Sequence, residues 1–401
     1  MRNVLTINGG SSSIRFAVFG SNGKIARRLH GKIERIGLPN ARFSVSEREG
    51  DAPTLRDVAV PDHRAAIDCL MDWLETHPVM GSLDAVGHRI VNGMSHTAPE
   101  RITPALLAEL RAIRPFDPEH LPSEIAFIEA IAARHPALVQ VACFDTAFHR
   151  DMPAVAKCLA IPHRFADRGV ERYGFHGLSY EYLLGELREL GDAAAADGRV
   201  ILAHLGNGAS LAAVLSGKSI DTTMAFTPAA GIVMSTRSGD LDPGLVFYLA
   251  EKEGMSAAQF NNMVNHESGL LGISGTSSDV RDLLAREAAD SRAALALAVF
   301  CQSVKKAIGA LAGALGGLDV LVFSGGIGEN AAPLRARICA GLGFLGIEVD
   351  ADRNRAHAPL ISAASARVRV RVLATDEELM VARQTLRLVG VETLSGEKTH
   401  A

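Results

Sequence analysis

The chain has 401 residues, of which 48% are hydrophobic and 21% charged, and a formal net charge of −4. That length exceeds one ordinary core, so two domains are expected, with the composition of a soluble globular protein. The charge balance offers no global pull toward nucleic acid or an anionic membrane surface. In chain order, β-branched and apolar clusters between turn signals predict strands over 4–7, 14–19, 138–144, 199–205, 211–215, 319–323 and 367–374. Helical periodicity predicts helices over 103–113, 121–134, 178–189, 256–266 and 291–315. In the last of these Leu297, Phe300, Val304, Ile308, Leu311 and Leu315 form one buried stripe. Mixed elements of this length give α/β layers. Residues 39–53, 191–198 and the tail after Gly396 read as loose. Cys69, Cys143, Cys158, Cys301 and Cys339 are scattered and odd in number, which fits reduced thiols. With no secretory pattern at the start and no apolar run of membrane-spanning length, a cytoplasmic location is expected.

The chemistry starts at the first turn. "NVLTINGGSSSIRFAVF" (3–19) is strand, glycine turn, serines, strand, with many free backbone N–H groups and none of the Walker lysine. "VILAHLGNGASLAAVL" (200–215) echoes it, which points to two domains on one plan, each aiming a phosphate-friendly turn into a shared cleft. "VLVFSGGIGENAAPLR" (320–335) adds a third glycine loop over 324–328, with Glu329-Asn330 expected to open a helix facing an anion. Three such loops imply a polyphosphate, and so a nucleotide. Arg89, Asp145, His176 and Arg237 fall in glycine-rich junctions or just beyond apolar segments. Taken singly, each also reads as a surface arginine, a helix cap or a packed ring. Taken together they suit phosphoryl transfer, which needs aligned reactants and positive partners for the equatorial oxygens more than a nucleophile.

The motifs "INGGSSSIRF", "GHRIVNG", "FDTAFH", "RYGFHGLS", "HLGNGAS", "MSTRSGDLDPG", "SSDVRD", "FSGGIGEN" and "ATDEEL" resemble the acetate kinase family, in family order along the whole chain. The resemblance implies two similar domains of the sugar kinase, Hsp70 and actin (ribonuclease H-like) type with an interdomain nucleotide cleft. The helical pattern "EELMVARQTLRLV" (377–389) lacks a second stripe of its own and needs a sheet to cover, so the expected boundaries are 1–148 completed by 378–401, and 149–377. The resemblance also implies reversible transfer of the ATP γ-phosphoryl to acetate with Mg²⁺, or Mn²⁺ in its place, giving acetyl phosphate and ADP, in a homodimer. Neither nucleic acid nor membrane is implied as a partner.

By the same resemblance, Asn8 and Glu377 lie on the magnesium side. Arg89 and Arg237 bind the carboxylate and the transferring phosphoryl, Asp145 is the catalytic aspartate, and His176 stabilises the transition state. Val91, His120, Phe175 and Pro228 match acyl-site positions. His204, Leu205, Gly206, Asn207 and Gly208, with Gly326, Ile327, Gly328, Glu329 and Asn330, wrap the phosphates. Asp279, Val280 and Arg281 lie near the ribose and adenine, and Arg15 stands where most members have a lysine. Two departures touch the acyl site. "PEHLPS" (118–123) replaces "PLHNPP", which puts Glu119 at an apolar position, and "VNGM" (91–94) replaces "VHGG". Propionate or butyrate transfer is the near alternative. A chaperone-like or non-catalytic ATPase of the actin type is the distant one, and it would have no use for the two arginines, Asp145 and His176.

Overall fold

The computed structural model describes residues 2–10, 13–22, 24–48, 50–191 and 198–396. The serines at 11 and 12, most of the segment 191–198 and the tail beyond 396 therefore lie outside the described residues. The chain divides into two compact units, Met1–Ala147 with Asp376–Ala401, and Phe148–Thr375.

The first unit is built on strands β1 (Arg2–Gly9), β2 (Ser13–Ser21), β3 (Ile25–Glu34), β4 (Arg42–Ser46), β5 (Thr54–Asp57), β6 (Ala85–Ile90), β7 (Glu100–Arg101) and β8 (Val139–Phe144). They form one sheet in the order β5-β4-β3-β2-β1-β6-β8-β7. The first five strands are antiparallel neighbours, whereas β1, β6 and β8 run parallel. One face carries Leu5, Ile7, Phe16 and Val18 against Leu70, Met71 and Leu74 of the helix His63–Thr76. The other face is covered by the helix Glu377–Gly396 through Ala382, which packs with Ala17 and Phe19. Gly87 permits this close approach: a Cβ there would meet Thr385 Oγ1 at 2.3 Å and Val381 Cγ1 at 2.6 Å.

Part of the segment read as loose is ordered. Residues 39–53 contain β4, because Phe43 and Val45 turn into the core beside Phe16 and Trp73. The charge-rich β3, which was not expected as a strand, pairs with both β2 and β4.

The second unit holds β9 (Arg199–Leu205), β10 (Ala209–Leu215), β11 (Lys218–Thr222), β12 (Val320–Ser324) and β13 (Arg369–Val372), in the order β11-β10-β9-β12-β13. Three antiparallel strands again continue into parallel ones, with β9, β12 and β13 parallel. This repeats the β3-β2-β1-β6-β8 run of the first unit, so the sequence echo corresponds to a shared strand plan. The helix Ser291–Leu315 is long and apolar enough to cross a membrane by length and composition. It is a core helix here: Ala293, Leu297, Phe300, Val304 and Ile308 are fully buried.

Two elements differ from their expected form. The segment 256–266 is a short helix, Ala257–Asn262, that widens into a π-turn over Met263–Glu267. The segment 324–328 is not a loop: a helix begins at Gly325 and ends at Asn330, and the next runs from Ala332 to Cys339. Gly325 makes this possible, with φ of 75° and a Cβ position 2.7 Å from the Leu205 carbonyl oxygen.

Candidate active site

In the first unit, β1, β6 and β8 are adjacent parallel strands, and their C-terminal ends are where open α/β sheets collect ligands. Asn8 is the penultimate residue of β1, Arg89 the penultimate residue of β6, and Asp145 follows β8 directly. Glu377 opens the C-terminal helix that covers this sheet. The four side chains meet. Arg89 Nη2 donates to Asp145 Oδ2 at 2.7 Å, and Arg89 Nη1 donates to Asn8 Oδ1 at 3.1 Å. Asn8 Nδ2 donates to Glu377 Oε2 at 3.2 Å, which lies 3.8 Å from Arg89 Nε. Arg89 Nε is buried and has no hydrogen-bond partner among the described residues.

Burial works against the charge on Arg89, but Asp145 and Glu377 more than offset this and hold the guanidinium protonated, with its pKa above the usual arginine value. Asp145 is fully buried. Such a pair, fixed by its own neighbours, presents a preorganised cation at a strand end. Arg27 braces the start of the C-terminal helix through Asp376 at 2.6 Å and Glu378 at 3.3 Å. Arg15, on β2, is exposed and sits opposite Asn8 in the sheet register.

The oxygens of Asn8 and Glu377 form a small pair of hard donors, the kind that suits a magnesium ion keeping several waters. Among the described residues no group of three or more His, Cys, Asp or Glu side chains could hold a metal by itself. A protein contribution of one or two oxygens, completed by phosphates and water, fits this set.

The acyl-site candidates of this unit lie beside the same strand end. Val91 is buried, and His120 is buried with Nδ1 2.9 Å from Asp117 Oδ1. Glu119 lies on the turn ahead of the helix Leu121–Arg134, half-buried and engaged with neighbouring groups. The carboxyl that reaches Val91 is a different one, which the sequence reading missed. Glu124, 3% exposed, accepts the Val91 N–H with Oε1 at 3.1 Å and Oε2 at 3.3 Å. The signal was available: Glu124, Phe127, Ile128 and Ile131 recur at helical spacing, so Glu124 falls on the buried stripe.

In the second unit the candidates gather around the turn between β9 and β10, where Gly206 N–H donates to Gly208 O at 3.1 Å. The His176 and His204 rings stack, with centroids 4.3 Å apart. His176 Nδ1 is 2.8 Å from Ser210 Oγ, and His204 Nδ1 is 2.8 Å from Ser179 Oγ. Both rings are therefore anchored through Nδ1. His176 has φ of 60°, a left-handed conformation that a non-glycine residue adopts at some cost. A Cβ at Gly208 would lie 3.3 Å from His176 Nε2 and 3.4 Å from Arg237 Nη1, so glycine keeps this turn close to both. Arg237 Nη1 also donates to Pro228 O at 3.4 Å, and Ser235 N–H donates to Asn207 O at 3.2 Å. Phe175 is buried, and its carbonyl oxygen is 3.0 Å from His149 Nε2.

The other glycine segment is more self-contained than expected. Glu329 Oε1 accepts the Gly325 N–H at 2.9 Å, so the first amide of that six-residue helix is already bonded within the protein. Gly326 has open space around it, and Gly328 packs against Phe323 and Leu205. Ile327 and Asn330 lie on the same short helix. Arg335, also missed in the sequence, is fully buried and ties this segment down. It donates to Gly328 O and Glu329 O at 2.8 Å each, and to Asn354 Oδ1 at 2.8 Å. Asp279 caps the helix Val280–Arg286 and pairs with Arg281, whose side chain is otherwise exposed. Val280 is buried below them.

The first unit thus brings together Asn8, Arg89, Asp145 and Glu377. The second brings together His176, His204, the 206–208 turn, Pro228 and Arg237. Residues 3–383 match the family described as the acetokinase family. An acetate kinase of Rhodopseudomonas palustris (strain TIE-1) is 44% identical over 394 residues, covering 96% of this chain and 98% of that protein. The crystal structure of Porphyromonas gingivalis acetate kinase matches with a TM-score of 0.86 at 35% identity, over 97% of this chain and 100% of that one. A propionate kinase from Francisella tularensis subsp. tularensis SCHU S4 matches with a TM-score of 0.89 at 35% identity, over 96% and 99% of the two chains.

Proposed function

The chain belongs to the acetokinase family, and from that premise we propose that it moves the γ-phosphoryl group of ATP to acetate, reversibly, giving acetyl phosphate and ADP. The observation that carries this reading is the Arg89 cation, bonded at once to the buried Asp145 and to Asn8 where three parallel strands end. An arginine held this way by Asp145, Asn8 and Glu377 is suited to a substrate carboxylate or phosphoryl oxygen.

In this reading the acceptor is already an anion, so no base need remove a proton from it. Asp145 orients Arg89, and Val91, Phe175 and Pro228 exclude water around the acyl group. Arg237 and His176 supply positive charge and hydrogen bonds where charge builds on the transferring phosphoryl. The 204–208 and 326–330 segments cradle the nucleotide, with Arg335 fixing the latter from behind, Asp279–Arg281 toward the base and sugar, and Arg15 toward the phosphates. Asn8 and Glu377 would hold magnesium, which when bound neutralises charge on the β- and γ-phosphates. A cytoplasmic location belongs to the same reading.

Acetate is favoured over longer acids by the names of the similar proteins, yet a propionate kinase is also among them. One methylene changes transfer energy by about 0.8 kcal/mol, so discrimination by the pocket is expected to be modest. Acyl hydroxamate formed from ATP, Mg²⁺ and each acid in the presence of hydroxylamine tests the proposal. Acetate should give the highest yield; ATP hydrolysis indifferent to added acid would reject it.

Two further expectations arise here. Glu119→Leu should change the KM for acetate, propionate and butyrate by less than about twofold, because the carboxyl on Val91 is Glu124 and an unpaired charge in an apolar wall is not sustained. A several-fold drop in acetate KM in steady-state assays would place Glu119 in the pocket instead. A homodimer is also proposed, supported by the helix Gly244–Glu253, which buries none of its residues and leaves Phe247 at 71% and Tyr248 at 56% exposure. Sedimentation should give a dimer that Phe247→Asp weakens; a wild-type monomer at micromolar concentration would refute it.

A further inference from the structure

Glu124 is a carboxyl in an unusual place. It is 3% exposed, its hydrogen bonds run to the single Val91 N–H, and among the described residues no lysine or arginine forms an ion pair with it. The charged groups that act on it come from three neighbouring segments: Asp117 from the turn before its own helix, Arg89 from β6, and Asp145 from the end of β8. The one cation of that set is already bonded to Asp145 and lies 3.8 Å from Glu377. Asp117 holds His120 through Oδ1, whereas its buried Oδ2 has no hydrogen-bond partner among the described residues. A carboxylate buried in such surroundings would be costly, since burial and two nearby acids both oppose its charge. An ionised Glu124 would also be a third carboxylate around Arg89, after Asp145 and Glu377.

We propose that Glu124 stays an uncharged acid and acts as a positioning residue, fixing the Val91 backbone and so the acyl wall beside Arg89 without adding negative charge to the carboxylate site. This deepens the phosphotransferase reading and rests on it. Burial first, and then Asp117, push the Glu124 carboxyl well above the usual glutamate range, and the Val91 N–H and Arg89 only partly oppose this.

The sign of the pH dependence follows. A folded-state pKa raised above the unfolded one means the folded protein keeps the proton longer. Below the unfolded pKa both states are protonated, and the folded state is penalised progressively as pH rises toward and through the folded pKa. Loss of that proton beside Arg89 would repel the substrate carboxylate, so the acetate KM should rise with pH as Glu124 ionises.

The test is the pH profile of the acetate KM, with the ATP KM and kcat followed alongside, in the wild type and in Glu124→Gln. The amide keeps an oxygen for the Val91 N–H and cannot ionise. E124Q should match the low-pH acetate KM of the wild type within about twofold and lack the rise with pH, and its ATP KM should not move. Glu124→Leu, which loses the Val91 contact, should raise acetate KM with less effect on ATP KM. A fall of several-fold in acetate KM for E124Q at neutral pH would mean the carboxyl is charged, and would overturn the proposal. A rise with pH retained unchanged in E124Q would overturn it as well. Should E124Q not fold, a wild-type acetate KM that stays flat over the pH range in which the protein is folded overturns the proposal, and a rise with pH supports it. A wild type that makes no acyl phosphate would reject the phosphotransferase reading itself, whereas an active wild type with either contrary E124Q result rejects this proposal alone.

Discussion

Arg237→Ala should lower kcat by about 100- to 1000-fold in a protein that remains folded, the usual loss when one preorganised transition-state donor of about 2.7–4 kcal/mol is removed. Arg237 is half-buried on the loop that also places Ser235 against Asn207, and its guanidinium lies close to the Gly208 turn and His176. A donor held this way costs no reorganisation during the reaction. Its removal should therefore appear in kcat and kcat/KM alike, with little change in the KM for ATP. The loop itself is pinned by backbone bonds, such as Met234 N–H to Arg237 O at 3.1 Å and Ser238 N–H to Val264 O at 3.0 Å, which alanine leaves intact. Turnover near the wild-type level in folded R237A would remove this residue from the mechanism.

Asp145→Ala should cost activity and stability together. Asp145 is fully buried, and its Oδ2 takes the 2.7 Å bond from Arg89 Nη2. Deleting one partner of a buried pair leaves the other charge uncompensated, and such changes cost about 3–5 kcal/mol. Asp145→Asn retains shape and an acceptor oxygen, so it should unfold closer to the wild type while still losing most of kcat through misalignment of Arg89. Denaturant midpoints and kcat for both variants separate the two effects. A D145A midpoint equal to that of the wild type would show that Arg89 does not depend on this partner.

Much of this arrangement was legible because its signals are local. An apolar strand ending in a glycine turn reads directly as a hairpin, and that pattern recurs at β1–β2 and β9–β10. Arg89 and Asp145 stood out because a charge at the end of an apolar run breaks the strand pattern. Elements whose burial depends on distant partners were harder to see. Strand β3, with Arg27, Arg28, His30 and Lys32, gains its place from pairing on both sides, a non-local effect that overrides its composition. Glu124 and Arg335 were overlooked because a charged residue in a helix is usually solvated. Both nonetheless lie on apolar stripes, Glu124 with Phe127, Ile128 and Ile131, and Arg335 with Ile338 and Cys339. The extended helix Glu377–Gly396 has a weak stripe of its own, yet it buries Val381 and Ala382 against the first sheet and so brings Glu377 to Asn8 and Arg89. The return of this helix was legible in the pattern of 377–389, which needs a sheet to cover, whereas the placing of Glu377 beside two strand ends is a tertiary event legible only through the family pattern.

In this mechanism one phosphoryl group passes directly between a nucleotide and a carboxylate. That transfer is tested most directly in the reverse direction, by mixing the protein with acetyl phosphate, ADP and Mg²⁺ and following ATP and inorganic phosphate together. ATP should form in equal measure to the acetyl phosphate consumed, with little free phosphate, and both changes should be strongly suppressed in Arg237→Ala. Acetyl phosphate consumed with phosphate released and no ATP formed would contradict it.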